Sequence, residues 1–89
     1  MRTLTEVEYD ILNALYFVEP FDKILEEVDA PENIVADGLK ILIDQKMVSP
    51  MKWDEKTKEF IRSFFYDSDN MRAYHYLATK EGLIAHNSK

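Results

Sequence analysis

The 89-residue sequence predicts an α+β domain, mainly α. Three observations lead there. Apolar residues recur at helical spacing in three successive stretches between Thr5 and Val48. From Val48 the pattern changes to short segments rich in aromatic residues, with polar turns between them. A Thr-capped helical stretch then closes the chain after Thr79. Residues 1–89 form a single domain of three helices, a unit of two or three strands, and a short C-terminal helix.

The central helix spans Pro31 to Val48, with Ile34, Val35, Leu39, Leu42 and Ile43 on one face. Pro31 suits the first helical position, where its missing N–H costs nothing. Gly38 in the middle costs about 1 kcal/mol relative to Ala, which is understandable if another helix crosses close by. The helix stops at Ser49-Pro50.

Before it, Thr5-Glu6-Val7-Glu8 reads as a capping box. The helix behind it buries Val7, Ile11, Leu12, Leu15 and Val18, and Val18-Glu19-Pro20 ends it. Phe21 to Val28 forms a short second helix with Phe21, Ile24, Leu25 and Val28 inward. Asp29-Ala30 is the tight turn before Pro31, and so small a turn joins the two helices at a steep angle.

After the central helix, Val48 to Trp53 reads as a strand, and Pro50 marks it as an edge strand. Tyr74 to Ala78 is a second strand. Between them, Lys58 to Tyr66 (KEFIRSFFY) fits a helical stripe through Phe60, Ile61, Phe64 and Phe65. It also fits a strand paired with residues 71–78 across Asp67-Ser68-Asp69-Asn70. The aromatic content and the strong turn signal favour the strand.

The chain has no cysteine, which excludes a disulfide framework and a thiolate metal site. No apolar run approaches the ~18 residues of a membrane span, and MRTLTEVEYD lacks the apolar stretch of a signal peptide. The cytoplasm is therefore the expected location and a membrane is not an expected partner. The net charge of −6 is unevenly spread. Residues 1–45 hold three bases against eleven acids, whereas residues 46–80 hold seven bases against five acids. Such asymmetry bears on partners rather than on fold.

Three pieces of the chain together resemble a winged-helix (winged helix-turn-helix) domain of PadR- and MarR-type small prokaryotic transcriptional regulators. Leu4-Thr5-Glu6-Val7-Glu8-Tyr9-Asp10-Ile11-Leu12 is similar to the opening helix start of that family. Val35 to Leu42, followed by Lys46-Met47-Val48, resembles its recognition helix and the step into the wing, with Lys46 where the family usually has Gly. Tyr76-Leu77-Ala78-Thr79-Lys80-Glu81-Gly82 resembles the segment that closes the wing and opens the last helix. The resemblance implies a regulator whose third helix enters the major groove of DNA.

With the resemblance, DNA-binding regulation is the first expectation, and the residues themselves leave a second reading open. Side chains that could meet DNA are Asn33 and Lys40 on the central helix and Lys52, Lys56, Lys58, Arg62 and Arg72 on the wing. Against this stand Glu32, Asp37 and Asp44 on the same outward helix face. The sequence pI of 4.8 is also far from the basic footprint of a nucleic-acid binder. The second reading is a protein-interaction module or homodimer on the same scaffold, with Phe64, Phe65 and Tyr66 as candidate contacts. An enzyme is not expected. His75 and His86 lack a paired acid at ligand spacing and read as surface or edge residues. No Gly-rich phosphate loop, cofactor motif or small-molecule site is written in the chain.

Overall fold

The computed structural model describes residues 3–63 and 65–88. The first helix, α1 (Glu6–Ala14), starts from the expected capping box: the Glu8 backbone N–H donates to Thr5 Oγ1 at 3.1 Å, and the Thr5 N–H donates to Glu8 Oε1 at 2.9 Å. The helix ends at Ala14, short of the expected Val18. The reason is tertiary. The Leu15 carbonyl accepts a hydrogen bond from the Ala78 N–H, and the chain turns to lay Glu19–Pro20 beside the last strand as β1. A two-residue strand leaves too short a pattern to read in advance.

Helix α2 (Phe21–Glu27) follows at once, burying Phe21 and Ile24. Helix α3 (Glu32–Asp44) has Pro31 as its N-cap rather than as its first helical residue. Val35, Leu39 and Leu42 are fully buried, but Ile34, expected inside, is 43 % exposed. The crossing helix that Gly38 called for is α1. A Cβ on Gly38 would lie 3.1 Å from Ile11 Cδ1 and 3.4 Å from Val7 Cγ1.

The end of α3 is closed by a pair of backbone bonds, Lys46 N–H to Ile43 O and Met47 N–H to Leu42 O, with Lys46 at φ 65°. This is the Schellman arrangement, and its left-handed position usually carries Gly. Thr79 ties the turn to the last helix, α4 (Lys80–Asn87): its hydroxyl donates to Lys46 O at 2.7 Å and accepts from the Gly82 N–H at 3.1 Å. Gly82 has no room for a side chain there, because a Cβ would fall 2.1 Å from Met47 O.

The strands are β2 (Val48–Asp54), β3 (Glu59–Arg62) and β4 (His75–Ala78), and with β1 they form an antiparallel sheet in the order β1-β4-β2-β3. Two expectations need correction. Residues 59–62 do form a strand, but it pairs with β2 across a turn at 55–58, not with 71–78. Asp54 organises that turn by accepting from the Lys56 N–H and the Thr57 hydroxyl, which made it a stronger turn former than it looked. Asp67 to Asn70 instead makes an Asx turn, Asp69 N–H to Asp67 Oδ1, leading into a single 3-10 turn at Met71–Ala73.

Pro50 likewise does not mark an edge strand, since β2 lies between β4 and β3. Its carbonyl accepts from the Ser63 N–H, so its ring nitrogen also faces the β3 side. Strand β3 has ended by that point at Arg62, so the missing donor breaks no strand pairing.

Val48, Tyr76 and Ala78 point from the sheet into the helical core with Ile11, Leu12, Leu15, Ile24, Val35, Leu39 and Leu42. Tyr76 is fully buried, and its hydroxyl donates to Met71 O at 2.7 Å. Burial holds both Tyr66 and Tyr76 above the ordinary phenol pKa.

Candidate interaction surfaces

Helix α3 has one face buried against α1 and the opposite face open. By helical geometry the open face carries Asn33, Ile34, Asp37, Lys40, Ile41 and Asp44. Ile34 and Ile41 are 43 % and 46 % exposed. Glu32, at the helix start, is held by Arg72, whose two terminal nitrogens donate to the carboxylate at 3.1 and 3.2 Å. The hydrogen bonds from Arg72 and its positive charge hold the Glu32 carboxyl below its ordinary range. In return, Glu32 and then Asp22 raise the guanidinium pKa further.

Arg72 therefore stands apart from the hairpin of β2 and β3. It sits on the 3-10 turn, bonds Asp22 of α2 through Nε at 2.9 Å, and lies over the Phe21 ring at 5.2 Å. It clamps α2 and α3 together, and a guanidinium so engaged has few donors left for a phosphate. The other sequence-selected cations are dispersed. Lys58 pairs with Glu55 at 2.9 Å in the hairpin turn, and Lys52 lies 5.0 Å from the Tyr74 ring centre. Lys56 stands at the hairpin tip and Arg62 at the far end of β3; both are exposed. Asn33 and Lys40 share the outward face of α3 with its acids and isoleucines.

The second surface is the side of the sheet turned away from the helices. Strand register and alternation place Met51, Trp53, Phe60, Arg62, His75 and Leu77 there. Phe60 packs edge-on to Trp53, with ring centres 5.1 Å apart, and its centre is 4.6 Å from that of His75. None of the apolar members belongs to the hydrophobic core. Sequence reasoning missed this surface because Trp53 and Phe60 become neighbours only through the β2–β3 register. The signal available was the alternation Met51-x-Trp53 followed by Phe60 on a strand.

Of the candidate contact residues, Phe65 is 86 % exposed. Tyr66 is instead half-buried and packs against the core beside Tyr74, with ring centres 5.4 Å apart. Phe64 lies outside the described residues. His86, expected at the surface, is buried: its ring stacks on Tyr9 at 4.2 Å, and its Nδ1 lies 2.9 Å from the Tyr16 hydroxyl. The ring locks α4 onto α1, a role that its position near the chain end did not suggest.

A groove of about 690 Å³ lies beyond the end of β3, bordered by Ile43, Lys46, Val48, Arg62, Tyr66 and Glu81. Among the described residues no group of three or more His, Asp or Glu could hold a metal ion, and no helix is long and apolar enough to cross a membrane. No family model, curated protein or solved structure matches the chain.

Proposed function

We propose that this chain is a winged-helix domain that works by contacting protein rather than by reading DNA. The scaffold reading is supported by the order of its parts: α1, α2 and α3 in succession, β2 leaving the end of α3, and β4 returning to it. The hairpin of β2 and β3 takes the place of the wing.

The choice of partner is carried by the outward face of α3. A helix that reads the major groove presents Arg, Lys, Asn or Gln to base edges between two rows of phosphates. Here that face carries Asp37 and Asp44 with Ile34 and Ile41, and Lys40 is its lone cation. Two carboxylates at this position repel the phosphate rows, and two exposed isoleucines gain nothing from them. The same isoleucines suit a protein surface, as do Trp53 and Phe60 on the sheet.

The DNA reading keeps the support of the exposed Lys56 and Arg62 on the hairpin and of Asn33 and Lys40 on α3. Fluorescence polarisation with labelled random duplex DNA, in a salt series starting at low ionic strength, separates the two. The protein-contact reading requires no binding at the lowest salt. Binding that weakens steeply with added salt overturns it, because that slope counts phosphate contacts.

A further inference from the structure

We infer that the free edge of β3 is a homodimer interface, through which two copies of this chain join their sheets into one. The inference rests on the protein-contact reading and names the partner. It begins with backbone direction. The Ser63 N–H donates to Pro50 O, so alternation turns the backbone groups of Glu59 and Ile61 toward β2 as well. Those of Phe60 and Arg62 then point the opposite way, to the side where, among the described residues, β3 has no neighbouring strand. An unpaired row of this kind is a template for another strand.

The sequence of the edge selects its occupant. Two copies of β3 related by a two-fold axis normal to the sheet pair antiparallel, and each residue must face one of the same side of the sheet. With Ile61 on the axis, the outward groups of Phe60 meet those of Arg62 from the second copy, and the reverse, so both bonded pairs are made. Ile61, 43 % exposed, then faces its own symmetry mate. On the other side of the sheet, Arg62 comes opposite the second copy's Phe60, a cation beside an aromatic face.

The pairing also extends a row already present. Met51 lies opposite Arg62 and Trp53 opposite Phe60 within one copy, so each row across the joint runs His75, Met51, Arg62, then the second copy's Phe60 and Trp53. Arg62 at a strand edge ordinarily discourages association. In this register it becomes part of the contact, because each guanidinium finds an aromatic partner instead of another cation directly opposite.

Sedimentation equilibrium over a wide concentration range tests the inference, using the full chain and two single variants, Ile61→Lys and Ile61→Glu. The wild type should rise from 10.5 kDa toward twice that mass. Each variant should remain at the monomer mass with an unchanged far-ultraviolet circular dichroism spectrum. An equimolar mixture of the two should recover the doubled mass, since Lys and Glu then face each other across the axis, and this recovery also shows that both variants are folded. A wild type at 10.5 kDa throughout overturns the inference, as does a variant that associates like the wild type or a mixture that does not recover. A monomeric wild type leaves the protein-contact reading standing; that reading falls separately, on salt-sensitive DNA binding.

Discussion

At Lys46 the chain adopts φ 65° to end α3, a conformation that costs an L-residue about 1–2 kcal/mol. Part of that is regained by the flexible unfolded chain when Gly is introduced, so Lys46→Gly should stabilise the fold by about 1 kcal/mol in chemical denaturation. Gly82, two contacts away through Thr79, behaves oppositely. Its Cβ would strike the Met47 carbonyl, which is backbone and cannot swing aside. Gly82→Ala should therefore destabilise by at least the upper end of the range of about 1–3 kcal/mol seen for overpacking. Tyr76→Phe leaves the buried Met71 carbonyl without the hydroxyl that donates to it and should cost about 1–3 kcal/mol. The Arg72 clamp has a pH signature. The Glu32 carboxyl in the folded chain titrates below its ordinary value of 4.5, so the stability it lends is present above that pH and is lost as pH falls through the lowered value. Arg72→Ala should return the Glu32 midpoint, followed by carboxyl-carbon NMR, to the ordinary range; an unmoved midpoint would mean that the ion pair does not form in solution.

At the scale of elements, legibility followed the length of the pattern. The three helices and both Thr caps were readable because apolar spacing and capping chemistry are local. The boundaries that moved were decided by partners distant in sequence. Helix α1 stops at Ala14 because Ala78 claims the Leu15 carbonyl, and β1 exists because β4 offers it an edge. The hairpin was misplaced for a related reason. Two turn signals competed, and Asp54 with the left-handed Lys58 won over Asp67 to Asn70. The candidate site was legible in part. The acidic outward face of α3 followed from helical periodicity, whereas the Trp53–Phe60–His75 cluster needed a register that no short pattern supplies. Arg72 was grouped with the hairpin cations because its partners, Asp22 and Glu32, are 50 and 40 residues away.

For the whole molecule, the unequal charge of its two parts acquires a spatial meaning. The acidic first half supplies α1, α2 and the outward face of α3, while much of the basic part lies on the hairpin strands and their turn. The helices thus carry most of the acids, and the sheet is aromatic with scattered cations, which fits association through the sheet better than wrapping a polyanion. Two copies of the chain thus meet through the edge of the sheet and not through α3. Backbone amide spectra recorded from dilute to concentrated protein test it most directly. Concentration-dependent shifts are expected at Trp53 and at Phe60 to Arg62, with the amides of Ile34, Asp37 and Ile41 unmoved. Shifts confined to α3, with the sheet amides unmoved, would contradict it.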